Sequence, residues 1–366
     1  MPSGPPSSDA ASPVSPGKKS IKDQLLAGAM PRLVASLLIA GGFVWLLARG
    51  GLPLLPERAA LERVPFWAIA GFALCQLFAI VLRTYRWVFL LRPIAPRIKA
   101  LRVLGIGLVG FSAIFLAPLR MGEIVRPYLL AQDGEVTFMQ AAGTLFAERV
   151  IDGLLLMLIT VTAMSLATTV SPLPLALGDL PLPLATVPAA VYTATFAFLG
   201  LFLTMTAFYA AREPAARITR AIVGLVSPRA GDWAARTLGR VADGLRFLPS
   251  RKNLLSFVSV TALYWVSMIA AQWLLVTGSG LPATLAQAAT MVGILGLGSI
   301  VPAGPGMFGA YQIAGFSALA LFFPLSEVRS VGAAIIFISY VVHVTMSSLQ
   351  FVFGFLIMAK VPAATS

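Results

Sequence analysis

The chain has 366 residues, 58% of them hydrophobic and 11% charged, with a mean hydropathy of +0.89 and a formal charge of +13. Those values lie outside the range of soluble globular domains and make lipid the solvent for much of the surface. A single cysteine, Cys75, and a single histidine, His343, exclude an internal disulfide framework, a Cys-based metal site and most zinc or haem ligand sets.

Residues 1–29 begin rich in Ser, Pro and Ala and read as a disordered cytoplasmic tail. Lys18, Lys19, Lys22 and Arg32 precede an apolar run over residues 33–48, which predicts an uncleaved anchor helix with a cytoplasmic N-terminus. Further apolar runs follow at 65–82, 103–118, 136–170, 184–210, 254–278, 284–323 and 330–359, several long enough for the roughly 20 residues of a spanning helix. Residues 30–359 therefore read as one transmembrane domain, followed by a short tail at 360–366.

Two runs are broken, the first at Pro118 and the second at Pro302, Gly304, Pro305 and Gly306. The connections at 83–102 and 212–252 hold fifteen Lys and Arg residues, so both are expected in the cytoplasm. Three apolar runs separate them. One run must then enter and return without crossing, and the run ending at Pro118 fits best because broken backbone is tolerated where protein or a watery cavity satisfies it. The Lys- and Arg-free stretch 171–183 falls outside. The second half mirrors the first. The expectation is an all-α polytopic membrane protein of about six spanning helices plus two oppositely directed re-entrant pairs, arranged as an inverted repeat. The alternative is that each break only kinks an ordinary spanning helix.

The chemistry-bearing residues start at the first break. Arg120, Gly122, Glu123 and Arg126 place three charges at i, i+3 and i+6, where helical neighbours pair, and Gly122 admits close approach of another backbone. Glu148, Arg149 and Asp152 follow about twelve residues into the next apolar run. Charges at that depth must face protein or water and pair with one another. They form either a headgroup-binding site or an internal salt-bridge lock. His343 and Gln350 share a face of the last helix, where a packing role is expected.

The segments Arg120-x-Gly122-Glu123-x-x-Arg126, Glu148-Arg149-x-x-Asp152 and Pro302-Ala303-Gly304-Pro305-Gly306 resemble motifs of the flippase-like family typified by the transmembrane region of lysylphosphatidylglycerol synthases. The resemblance spans residues 30–358 and implies lipid handling. Bifunctional members carry a soluble transferase domain; this chain ends at Ser366 without one, so aminoacyl transfer is not expected.

Between residues 212 and 252, Trp233, Leu238, Val241, Leu245 and Leu248 share a helical face largely free of Arg236, Arg240 and Arg246, a pattern suited to the membrane interface. A solvated connector that only sets orientation is the other reading. The expected activity is movement of a phospholipid or of a polyprenyl- or hopanoid-type lipid between leaflets of a bacterial inner membrane, with both termini cytoplasmic. Arg120, Arg126 or Arg149 would hold phosphate, and Glu123, Glu148 and Asp152 would hold the arginines or meet a cationic headgroup. The alternatives are a membrane-embedded transferase, an ion channel or soluble-solute carrier, and a non-catalytic subunit of an envelope lipid pathway. No P-loop is present, no cofactor, metal or nucleic acid is expected, and the partners are anionic or isoprenoid-linked lipids, with a homo-oligomer or an envelope-biosynthesis protein besides.

Overall fold

The structure, a computed structural model, describes residues 21–117, 120, 122–301 and 303–361, with side chains of 21–30 and Arg32 left aside. Pro118 and Pro302, placed at the two breaks by the sequence, lie outside the described residues, as do residues 1–20 of the expected tail. The chain is an all-α polytopic membrane protein. Its first half contains α1 (Ile21–Arg49), α2 (Arg58–Glu62), α3 (Phe66–Tyr85), α4 (Trp87–Leu91), α5 (Ala100–Leu116), α6 (Gly122–Gln132) and α7 (Phe138–Leu166). The second contains α8 (Thr186–Ala210), α9 (Arg212–Gly224), α10 (Pro228–Asp243), α11 (Arg251–Gly278), α12 (Leu285–Gly298), α13 (Ala310–Ala320), α14 (Leu325–Glu327) and α15 (Ala333–Lys360).

Among the described residues, five helical stretches are long and apolar enough to cross a membrane: Phe66–Leu91, Phe138–Leu166, Thr186–Ala210, Arg251–Gly278 and Leu325–Lys360. The apolar part of α1, Leu33–Arg49, is shorter, as are α5 and α12. Two boundaries differ from the sequence reading. Residues 21–29, assigned to the tail, are already helical in α1. The run expected to stop at residue 82 continues through Trp87-Val88-Phe89-Leu90-Leu91, because these five apolar residues are all buried. Arg83 and Arg86 thus lie within a span and not in a loop.

Helix starts are chemically marked. Thr137 and Gln140 form a capping box at α7, and Thr284 and Gln287 form the same box at α12, each satisfying backbone donors at both ends of the motif. Both boxes read Thr-x-x-Gln-Ala-Ala.

The two broken pairs are real hairpins: α5 packs on α6, and α12 on α13. They point in opposite directions. The open end of the first is tied by Arg102, which meets Asp133 at 2.8 Å and donates to the carbonyls of Met358 and Val361 at the end of α15. The open end of the second is tied to the far end of α7, where Gln287 donates to the Thr168 carbonyl at 3.1 Å and Val170 N–H to the Leu321 carbonyl at 2.9 Å. Their tips meet between these levels, where Arg120 Nη1 donates to the Ser299 carbonyl.

Packing repeats between halves. Helix α5 lies against α15, the last helix of the second half, and α12 lies against α7, the last of the first; α3 and α11 pair with each other. Exchanging α3, α5, α6 and α7 for α11, α12, α13 and α15 preserves these contacts, the pattern of an inverted repeat.

Charge separates the two ends of the bundle. Residues 87–98 and 245–257, from the two basic connections, share one apolar cluster and so lie at the same end. At the opposite end Arg58, Arg63 and Arg329 are each matched by an acid: Glu62, Glu327 and Asp179.

Candidate functional site: a charged core beside a membrane-depth cavity

Helix α7 supplies Glu148, Arg149 and Asp152, whose i, i+1, i+4 spacing puts both carboxylates on one face one turn apart. That face meets Arg86 at the junction of α3 and α4, and Arg126 on α6. Arg86 binds both oxygens of Asp152 at 2.7 Å each and reaches Glu148 Oε1 at 3.5 Å. Arg126 binds Glu148 through two parallel bonds of 3.1 and 2.9 Å, the fork geometry in which guanidinium and carboxylate pair best. Arg149 reaches the same Glu148 at 3.4 Å. Arg86, Arg126 and Glu148 are completely buried.

Burial of charge on this scale is sustained by the surroundings. Arg86 also donates to the Thr261 hydroxyl at 3.1 Å and packs over Tyr264 and Phe257. The Arg126 guanidinium lies 4.3 Å from the ring centre of Trp87 and 4.2 Å from that of Phe111, positions in which ring quadrupoles favour a cation. Gly110 on α5 makes room for the Arg126 stem, which a Cβ there would strike. Gly122 serves α6 likewise: a Cβ would collide with the α5 backbone at Gly110, Ala113 and Ile114.

Charge within the core balances as Arg86 and Arg126 against Glu148 and Asp152. Two guanidiniums remain beyond that balance, Arg149 and Arg83. Among the described residues no carboxylate forms an ion pair with Arg83, whose Nε is buried without a hydrogen-bond partner. Its guanidinium sits 4.1 Å over Phe111.

Both surplus arginines line a cavity of about 280 Å³ walled by α3, α5, α7, α8, α11, α12, α13 and α15. Arg120 enters it from the hairpin tip, and Asp152 is the carboxylate on its wall among the described residues. The rest of the lining mixes Phe111, Phe115, Leu156 and Met346 with Gln76, Gln272, Tyr311, His343 and Gln350. A smaller space of about 120 Å³ adjoins the tips at Ile300, Ala303 and Gly304. No group of three His, Cys, Asp or Glu suited to a metal ion occurs among the described residues.

Of the residues singled out from the sequence, Arg126, Glu148, Arg149 and Asp152 come together. Arg120 and Glu123 form a separate pair at 2.8 Å. Arg120 reaches the cavity from that pair, whereas Glu123 is largely exposed outside it. Arg120 also adopts φ +58°, a left-handed conformation costly to a residue with a side chain. At the second break, Pro305 opens a 3₁₀ turn and Gly306 has φ +70° with the Tyr340 hydroxyl 2.8 Å from where a Cβ would stand. A Cβ on Gly304 would lie 2.5 Å from the Ala40 Cβ of α1.

Arg83 and Arg86 were counted in the sequence only as orientation charges. The resumption of apolar residues at 87–91 is the signal that places them inside the run. Gln76 and Gln272 gave no such signal.

A family model described as the lysylphosphatidylglycerol synthase TM region matches residues 33–347. No curated protein and no solved structure matches the chain significantly.

Proposed function

We propose, for a chain that belongs to the lysylphosphatidylglycerol synthase transmembrane-region family, that it carries the phosphate-bearing headgroup of a lipid between leaflets through this cavity. The observation that carries the reading is the pair of surplus guanidiniums, Arg83 and Arg149, opening onto a cavity at membrane depth beside an already neutral charged core. Positive charge in excess of the carboxylates there is costly unless an anion arrives, and the planar guanidinium fork suits phosphate oxygens. Arg120 adds a third cation where the hairpin tips meet.

In this reading Glu148 and Asp152 position the arginines and do not touch substrate, since Arg86 occupies both Asp152 oxygens and Arg126 spans Glu148. Among the described residues, that leaves no free carboxylate on the cavity wall for a transferase's general base. Access alternates as one hairpin shifts with the helix it packs on, α5 with α15 or α12 with α7, and Arg120 exchanges the Ser299 carbonyl for phosphate. In this reading the strongly basic end of the bundle faces the cytoplasm of a bacterial inner membrane, with both termini on the same side.

Liposomes holding the purified protein and a fluorescent phosphatidylglycerol provide the test. Translocation well above protein-free vesicles, with the lipid chemically unchanged and no ion leak, is expected. Lipid confined to its original leaflet would contradict the proposal.

A further inference from the structure

Away from the arginines and Asp152 the cavity wall is largely apolar, and the polar groups set into it are uncharged. Gln76 stands two turns from Arg83 on α3, Gln272 two turns from Tyr264 on α11, and His343 two turns from Gln350 on α15, each interval about 10–12 Å of helix. All of these line the cavity. Gln76 and Gln272 are over nine-tenths buried, and among the described residues neither side-chain amide is hydrogen-bonded to protein. His343 Nδ1 lies 2.7 Å from the Ser339 carbonyl oxygen, which can only accept. Nδ1 therefore holds a proton, and when the ring is neutral Nε2 is an acceptor. Gln350 Oε1 is a further buried acceptor without a donor.

We propose that this site, on the headgroup reading above, selects a phosphodiester whose outer group is an uncharged polyol, either glycerol or a ring polyol, and rejects the aminoacylated, cationic headgroup. Phosphate oxygens answer Arg83, Arg149 and Arg120. Hydroxyls both donate and accept, as do the amides of Gln76 and Gln272, so a polyol leaves neither half of those groups unpaired. An ammonium only donates. It would also stand in a wall with three guanidiniums, where the lining carboxylate, Asp152, is already held on both oxygens by Arg86. A space of about 280 Å³ accommodates a glycerophosphate-sized group.

Binding of short-chain lipids to the purified protein in detergent tests this with four probes: phosphatidylglycerol, phosphatidylinositol, phosphatidylmethanol and lysylphosphatidylglycerol. Phosphatidylmethanol has the same phosphodiester charge and no hydroxyl. Phosphatidylglycerol or phosphatidylinositol is expected to bind at least ten-fold tighter than the other two probes, and whichever leads identifies the polyol. Gln76→Leu and Gln272→Leu should each erode the preference over phosphatidylmethanol about five- to ten-fold, the effect of one lost hydrogen bond. Gln272→Glu should move the preference toward the lysyl lipid. Equal binding of the lysyl lipid and phosphatidylglycerol, or folded Leu variants with the wild-type preference, overturns the proposal. If all four lipids bind alike, the headgroup reading stands and polyol selection fails. If none binds, both fail.

Discussion

Replacing Glu148 with Gln probes the point on which the charged core depends. Glu148 is fully buried and contacts Arg126 at 2.9 and 3.1 Å, Arg149 at 3.4 Å and Arg86 at 3.5 Å. Its neutralisation leaves three guanidiniums facing Asp152 alone. Removing one partner of a buried pair commonly costs about 3–5 kcal/mol, because the remaining charge stays desolvated. At roughly 2 °C per kcal/mol for a chain of this size, the midpoint of thermal unfolding in detergent should fall by ~6 °C or more. The pair can be isolated. Arg126→Met combined with Glu148→Gln removes one charge of each sign, so the double variant should lose less than the two single losses added, with a coupling of at least ~1 kcal/mol. A Glu148→Gln protein that melts within about 2 °C of wild type, or strictly additive losses, would refute the description of this core as an electrostatically closed unit.

Gly122→Ala should prevent accumulation of folded protein, since its Cβ meets α5 backbone that cannot rotate away; normal yield and melting in that variant would show that α5 and α6 separate more easily than their packing implies. Gly306→Val should insert normally yet fail to translocate, because φ +70° and the nearby Tyr340 hydroxyl both oppose a branched side chain; full transport would make the second break an ordinary loop. A cysteine at Asp232, on α10 at the basic end, should be shielded from an impermeant thiol reagent outside intact cells and labelled once the cytoplasm is opened. Labelling from outside would reverse the assigned orientation.

What could be read from sequence follows from how each feature is encoded. Glu148 and Asp152 are conspicuous because charges deep in an apolar run have no solvent to explain them. The second break is spelled out by glycine and proline, and the inverted arrangement followed from counting runs between basic connections. Arg86 was hidden by position: near the end of an apolar run it looks like a topological charge, and its pairing with Asp152, 66 residues on, is created only when the junction of α3 and α4 comes against α7. Arg83 was misread for the same reason. Gln76 and Gln272 are single neutral residues in long apolar helices, and nothing local distinguishes a lipid-facing amide from one facing a cavity. Glu123 differs in the opposite direction: it does pair with Arg120, as the sequence suggests, but Arg120 lies before α6 in a left-handed conformation, and the exposure of Glu123 depends on how the hairpin tip turns.

Arg149→Lys tests the central claim most directly. It keeps the positive charge beside Glu148 and removes the planar fork that would grip phosphate. Arg149 is the partly exposed member of the core, so the variant should keep a wild-type melting temperature. Translocation of labelled phosphatidylglycerol in liposomes should nevertheless fall at least ten-fold. A folded Arg149→Lys protein that moves lipid at the wild-type rate, together with a folded Arg83→Gln protein that does the same, would show that headgroups do not pass these arginines.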